Sequence, residues 1–582
     1  MLFSSKKPSC IAARVVYSPS QLRIHMSRLL LWLLNLIIFF ILIGYVLNPL
    51  LETAHSGFLD GERQFTLANY ATILLRTDKL KAFANTLLLS LLTVVGAGIF
   101  GVGLAYIFWR FNFAAKPVLS RLALLPLGLP PLVGVFSFQF LYDESGVVAR
   151  ALQALLALKS PPFAFEGLWA VWLVHVYSFY VQFFLFASAA LTRVDYAVLE
   201  AAENLGASVW SRFWKVLVPL LRPSLFSASL IVFVLSVASF TAPLLFGGRT
   251  NFLTVEIFNQ KVAGEFNLAS AMTIGLVAVS AAVVFVFESY QSKMRLNLKG
   301  RGAPRDVPPE QLSLPWRLLL IVQMLFIILP IAALLLMSFA DNPLTMRGIL
   351  PDAYSFVHYR RLLTDAQFYQ PFLNSFSMAM LASVPNLLFG LAVGILAAQQ
   401  RLLLRNFAMP LLLLPLAVPG TALGISMIAA FSKPSIFVFG QALVGSPALL
   451  PVAYFIRHLP YIARSVSAAL ETFDYQLVEA AMTLGASWLR IIGRVMLPLI
   501  LASIASGFLF TFIGALGEFP CSILLYTPSN VPVAVDIFSQ LRMGNFGSAA
   551  AAGVLLMVLV FALTWLSEVI FRVRAHETPT PL

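Results

Sequence analysis

Apolar runs of about twenty residues recur along the whole chain, separated by short polar intervals, and each can cross the hydrocarbon core of a bilayer as a helix. In the first half they fall at Leu29–Leu47, Phe83–Trp109, Leu122–Leu141, Leu168–Leu191, Leu225–Leu245 and Leu268–Phe287. In the second they fall at Trp316–Phe339, Phe372–Ala398, Met409–Phe431, around Ala448–Ile462, from Leu501 onward, and at Ala549–Ile570. The pattern predicts an all-α, polytopic membrane protein of about twelve transmembrane helices. The tenth run is the odd one, because Arg457, His458 and Pro460 interrupt it. A proline there withdraws a helical hydrogen bond that a neighbour has to replace.

The two sets of runs keep register. Asn69-Tyr70 matches His358-Tyr359, Asn85-Thr86 matches Asn374-Ser375, and the stretch from Leu124 to Pro130 matches that from Leu413 to Pro419, all at a separation of 289. Further on, Asp195-Tyr196 matches Asp474-Tyr475 at 279, so the loop corresponding to Asp143–Glu166 is ten residues shorter in the second half. Six spans per half give both halves the same orientation, which makes this a parallel duplication. The basic, proline-bearing stretch Lys293–Leu314, with Pro304, Pro308 and Pro309, is the natural linker, dividing the chain into halves 1–295 and 296–582.

Composition supports a bilayer setting, since 60% of the residues are hydrophobic and 11% charged, against roughly a quarter charged in a soluble globule. The net charge of +14 does not point to nucleic acid, because the basic residues gather at helix ends and form no stripe with interleaved aromatics. They act as orientation signals instead. With Lys6, Lys7, Arg14, Arg23 and Arg28 inside, the inner segments also hold Arg110, Lys116, Arg121, Arg212, Lys215, Arg222, Arg401, Arg405, Arg490 and Arg494. Both termini are then expected on the cytoplasmic side, and the first run reads as an uncleaved helix. Cys10 and Cys521 lie near opposite predicted faces and form no expected disulfide.

Two polar intervals carry one motif. Glu200-Ala-Ala-Glu-Asn-Leu-Gly206-Ala-Ser returns as Glu479-Ala-Ala-Met-Thr-Leu-Gly485-Ala-Ser, and in each a proline follows thirteen residues after the glycine, at Pro219 and Pro498. The spans of these loops are about 195–219 and 474–498. In the first, Val198, Leu199, Ala202 and Leu205 recur at helical spacing, so the loop reads as two short helices hinged at Gly206. Such a helix offers small residues to a partner's groove.

Both loops resemble the "EAA" motif of the permease subunits of bacterial ATP-binding-cassette importers. The second copy follows the family pattern throughout, and the first has Val218 where leucine is usual. The resemblance implies that Glu200, Ala201, Ala202 and Gly206, with Glu479, Ala480, Ala481 and Gly485, contact two copies of a separate ATPase subunit. It also implies a bacterial inner-membrane location and an extracytoplasmic solute-binding protein. Chains of this fused kind look most like ferric-iron permeases, with thiamine, 2-aminoethylphosphonate and polyamine permeases as alternatives.

The chain contains no Gly-Lys pair, so no phosphate-binding P-loop is present and ATP is expected on the partner, with no cofactor here. No catalytic triad, carboxylate pair or Cys-His metal cluster is visible, and no enzyme activity is expected. The glycines Gly96, Gly98, Gly101 and Gly103 lie within a span and read as helix-packing positions. Two residues are candidates for the translocation path: His175 in the fourth span, and Glu518, whose charge at membrane depth needs a partner or a cavity. Arg457 reads as a loop-end or snorkelling residue. A twelve-helix secondary transporter driven by an ion gradient is the alternative, although the mid-membrane segments hold almost no ionisable groups for ion coupling.

Overall fold

The computed structural model describes residues 28–144, 146–294, 310–341, 349–471 and 473–575. The N-terminal lysines and arginines before Arg28, Cys10 and the linker prolines lie outside the described residues.

Ten of the helical pieces described in each half follow the same order. The first half contains α1 (Arg28–Gly57), α2 (Thr77–Arg110), α3 (Lys116–Gly128), α4 (Pro131–Leu155) and α5 (Leu168–Leu191). It continues with α6 (Tyr196–Asn204), α7 (Val209–Val237), α8 (Thr241–Phe246), α9 (Leu253–Val262) and α10 (Phe266–Met294). The second half repeats them as α11 (Leu314–Ser338), α12 (Ala366–Ala398), α13 (Arg405–Ala417), α14 (Gly420–Phe431) and α15 (Leu449–Glu471). It ends with α16 (Gln476–Thr483), α17 (Ile492–Leu516), α18 (Ser522–Leu525), α19 (Val533–Arg542) and α20 (Phe546–Ala575). Among the described residues, nine helices are long and apolar enough to cross a membrane, or eleven if each bent pair is one span. This is an all-α, multi-pass membrane fold.

Two expected spans are sharply broken. The third turns through 107° between α3 and α4, and the ninth through 116° between α13 and α14. Pro130-Pro131 and Pro419 stand at the corners, where the residue before a proline is driven out of the helical region. The fifth and eleventh spans also differ from expectation. The helix expected from Leu225 begins at Val209 and stops at Val237, and the one expected from Leu501 begins by Ile492. The tenth region is a helix, α15, that is too polar to qualify as a span by composition.

Each half leads with a helix that leans on the other half. In α1, Asn35 accepts a hydrogen bond from the Leu403 amide at 2.8 Å, Tyr45 donates to the Phe437 carbonyl at 2.6 Å, and Thr53 donates to Ser426 at 2.9 Å. In α11, Gln323 donates to the Phe100 carbonyl at 3.1 Å, and Tyr177 of α5 donates to the Ile327 carbonyl at 3.4 Å. The outward side of α1 carries Leu29, Trp32 and Leu36, all exposed, as a lipid-facing surface should be.

Within each half, α2 packs on α5 and α12 on α15 through small residues. A side chain at Gly101 would strike the Tyr180 backbone, and one at Gly390 would strike Ile462. Close backbone approach of this kind drives helix association where no hydrophobic effect operates between lipid-solvated surfaces. The matched pairs Asn85-Thr86 and Asn374-Ser375 also acquire a role. Asn85 donates to the Asn251 carbonyl and Thr86 accepts from the Leu253 amide, at 3.0 and 2.9 Å. Asn374 donates to the Val531 carbonyl and Ser375 accepts from the Val533 amide, at 3.0 and 2.8 Å. Each pair therefore clamps the start of α9 or α19.

Candidate functional site: two docking loops and an aromatic closure

The repeated motif folds identically twice. Asp195 caps α6 and Asp474 stands just before the N-cap of α16, each accepting a backbone N–H two residues on at 3.0 Å. At the far end Gly206 adopts φ +82° and Gly485 φ +74°, a region open to glycine and costly for other residues. The Gly206 amide bonds the Glu203 carbonyl and the Ala207 amide bonds the Ala202 carbonyl, at 2.8 and 3.0 Å. Gly485 and Ala486 make the same pair of bonds to Met482 and Ala481, at 2.9 and 3.0 Å. This is the Schellman ending of a helix, and it explains why glycine must follow the alanines at this distance.

Of the residues expected at the contact, Ala201, Gly206, Glu479, Ala480 and Gly485 are exposed, while Glu200, Ala202 and Ala481 are half-buried. The expected apolar stripe is split. Leu199 turns inward and is buried, whereas Leu205 is 88% exposed. Its counterpart Leu484 is 87% exposed. These two exposed leucines, each just before the motif glycine, stand beside the expected contact residues but outside that set. Their identity in both copies was the signal available.

At the motif proline the helix is already under way. In α7 the turn Phe213–Leu217 is a π-turn, and the Val218 amide reaches back five residues to the Phe213 carbonyl. In α17 the turn Ile492–Met496 does the same, with the Leu497 amide on the Ile492 carbonyl. A proline lacks its N–H and its ring collides with the carbonyl four residues back. One wider turn immediately before Pro219 and Pro498 accommodates both defects and lets the helix continue. Each docking helix is thus joined through one glycine corner to a continuous rod, α7 or α17.

The far ends of those rods meet. Just beyond α7 stands Phe240, and just beyond α17 stands Phe519, at 1% and 0% exposure. Their ring centroids are 5.9 Å apart. Outward from them, Phe240 meets Phe258 of α9 at 5.5 Å and Phe519 meets Phe538 of α19 at 5.2 Å. The four rings form a symmetric ladder, Phe258–Phe240–Phe519–Phe538, that crosses from one half to the other.

The two candidates for the path sit beside this ladder in matched places. Glu518 precedes Phe519, and its counterpart 279 residues earlier is Ser239, to which His175 bonds at 2.9 Å. His175 also faces Ser236 at 3.0 Å and Thr93 at 3.3 Å, so its ring is held by hydroxyls within the helix packing. Glu518 accepts from Arg457 at 3.0 Å and from the Cys521 amide at 3.0 Å. Arg457 is neither at a loop end nor snorkelling: it lies inside α15 and also donates to the Val418 carbonyl at 3.4 Å. That carbonyl borders the 116° corner. An unpaired charge at membrane depth costs roughly 3 kcal/mol or more on insertion scales, and a lone carbonyl several. The ion pair meets both costs at once by tying α15 to the corner before α14 and to the break between α17 and α18.

Among the described residues no group of three or more His, Cys, Asp or Glu side chains is placed to hold a metal ion. Cys521 is buried and unpaired.

Comparison with known proteins agrees with this duplicated plan. The description "binding-protein-dependent transport system inner membrane component" matches residues 97–295 and again residues 390–574. The probable ABC transporter permease protein y4fN of Sinorhizobium fredii (strain NBRC 101917 / NGR234) is 26% identical over 95% of this chain and 98% of its own length. The ferric transport system permease protein FbpB of Actinobacillus pleuropneumoniae is 24% identical over 91% of this chain and 76% of its own. The molybdenum transport system permease protein ModB of Azotobacter vinelandii is 31% identical, but over 36% of this chain and 93% of its own, so it corresponds to one half. The chain belongs to the family of binding-protein-dependent transport system inner membrane components, and is a multi-pass inner-membrane permease of an ABC importer with both halves fused in one polypeptide.

Proposed function

We propose that this single polypeptide forms the entire channel of a bacterial importer, with both docking loops and both termini facing the cytoplasm. Two copies of an ATPase subunit seat on α6 and α16, and a solute-binding protein delivers cargo at the opposite face. The observation that carries this reading is the paired lever: an identical glycine-cornered docking helix joined to a rod that ends at Phe240 or Phe519.

ATP-driven closure of the two motors draws α6 and α16 together. The rods transmit that displacement, and Phe240 and Phe519 part or meet as the halves rock. Closed, the aromatic pair leaves no room for water or ions between the halves. The loaded binding protein favours the stroke only through a different affinity for the two states. Ferric iron is the cargo most in keeping with the relatives, since FbpB, which covers most of this chain, is a ferric transport permease. Thiamine, 2-aminoethylphosphonate or a polyamine is the alternative.

The test is Glu479→Arg in the reconstituted complex. It should leave membrane insertion intact and abolish stimulation of ATP hydrolysis by the binding protein; undiminished transport would overturn the docking assignment. Mass spectrometry of the ligand retained by the co-purified binding protein decides the cargo.

A further inference from the structure

The two docking loops are alike in backbone and unlike in what supports them. Beneath α6 the end of α2 supplies Tyr106, Trp109 and Arg110, and the chain entering the second half supplies Glu310 and Trp316. The strands β1 (Phe111–Asn112) and β2 (Glu310–Gln311) pair in parallel. Arg110 forms an ion pair with Glu310 and lies 5.4 Å from the ring centre of Tyr196, the first residue of α6. Trp316 stands at the start of α11, its ring 5.4 Å from Tyr106 and 5.6 Å from Phe111. Tyr106 in turn meets Phe213 of the π-turn at 5.6 Å. Together these groups wall a cavity of about 160 Å³ behind the docking loop.

Among the described residues nothing similar underlies α16. The positions matching Tyr106, Trp109, Arg110 and Phe111 are Ile395, Ala398, Gln399 and Gln400, and Ile492 matches Phe213. Arg212, which pairs with Glu203 across the first loop, is matched by Ile491, and Glu203 by Met482. Only the tyrosine is kept, as Tyr475, which donates to the Leu470 carbonyl at 3.3 Å.

We propose that Arg110, Glu310 and Trp316 are positioning residues that strap the first docking helix to the leading helix of the second half. This rests on the docking reading above and goes beyond it, because it makes the two loops mechanically unequal. A displacement of α6 is passed to α11 directly, through strand pairing, ion pair and stacked rings, as well as through α7. The second loop has no such strap to the other half among the described residues and rests on α12, α15 and α17 of its own half.

The experiment uses the complete complex in proteoliposomes, with its ATPase and with the binding protein as purified, and reads the fold-stimulation of ATP hydrolysis by that protein. The Glu310 side chain is 51% exposed, so Glu310→Gln should fold and retain the ATPase. We expect its stimulation to fall by about five-fold, the lower end of typical coupling between sites. Arg110→Glu should lose at least as much, and the double variant Arg110→Glu with Glu310→Arg should return to within about two-fold of the parent. Trp316→Phe should retain what Trp316→Ala loses, and Gln399→Ala in the second half should change nothing. Unchanged stimulation in Glu310→Gln, or no recovery in the charge-swapped pair while the ATPase still co-purifies, overturns the strap. Glu479→Arg in the same assay separates the two ideas: if it too is silent, the docking reading itself has failed.

Discussion

Phe240 and Phe519 are 279 residues apart in the chain, and their rings stand face to neighbouring face at 5.9 Å with 31° between their planes. They occupy equivalent positions of the duplication, so the contact lies where the halves mirror one another. Each is backed by an equivalent ring, Phe258 or Phe538.

If this pair closes the path, shortening it should open a leak that needs no motor. Phe519→Ala is expected to raise passive ion flux through reconstituted vesicles without ATP, and the double variant with Phe240→Ala to raise it further. Loss of a buried ring typically costs about 3–5 kcal/mol, so Phe519→Leu, which keeps most of the volume, is the companion. It should remain tight while still importing. Vesicles of Phe519→Ala as tight as those of the parent would remove the pair from the gate.

At Gly206 and Gly485 an added side chain meets nothing within 4 Å. Any penalty there is therefore one of backbone conformation alone, roughly 1–2 kcal/mol for an ordinary residue at positive φ. Gly485→Asn should be tolerated better than Gly485→Ala, and Gly485→Val worst, because asparagine enters the left-handed region most readily and β-branched residues least. The ordering is read from the amount of ATPase that co-purifies with each variant. Equal retention by all three would mean that the corner is not needed for docking.

Lys79 and Glu256 form a buried ion pair between α2 and α9. The second half has Phe368 and Asp536 in their places. Lys79→Met should destabilise the detergent-solubilised protein by about 3–5 kcal/mol, because it strands a buried carboxylate. Adding Glu256→Gln should recover most of the loss, and thermal unfolding of the two variants measures it.

Asp536 lies in α19, outside the spanning helices, with Gln540 donating to it at 3.3 Å. Burial pushes its carboxyl up from 3.8 to about 6, and the Gln540 hydrogen bond offsets part of that rise. The folded value lies above the unfolded one, so folding favours the protonated acid. Stability is highest below about pH 4, declines as pH rises toward 6, and levels off above it. Asp536→Asn should flatten that decline, as read from unfolding temperatures between about pH 4.5 and 7.

Much of this was legible in the order of residues. Long apolar runs announce spanning helices because lipid offers the backbone no hydrogen bonds. The motif around Gly206 and Gly485 marked the ends of the short helices α6 and α16, since a Schellman ending needs glycine at a fixed distance. The stretch Val209–Arg222 was left out of the span expected from Leu225 because Arg212, Lys215 and Arg222 make it polar, although long basic side chains are tolerated near the end of a membrane helix. The corners at Pro130 and Pro419 were hidden because an apolar run has the same composition whether straight or folded back. Phe240 and Phe519 could not be distinguished from the other phenylalanines, of which the chain has 50. Pairing every position with its partner 279 residues on would have narrowed the choice to two pairs, Phe240 with Phe519 and Phe233 with Phe512. The support under α6 was invisible for a different reason: it joins Arg110 to Glu310, 200 positions apart, and no local pattern reports such a contact.

The hydrogen bond from the Leu403 amide to Asn35 joins residues 368 positions apart. During synthesis α1 is therefore threaded into lipid long before the surface it belongs against exists. Asn35 has to wait, solvated by its own helix through the Leu31 carbonyl, until the ribosome has delivered the segment that holds Leu403. Assembly of this permease thus finishes by seating a helix made long before its partner surface.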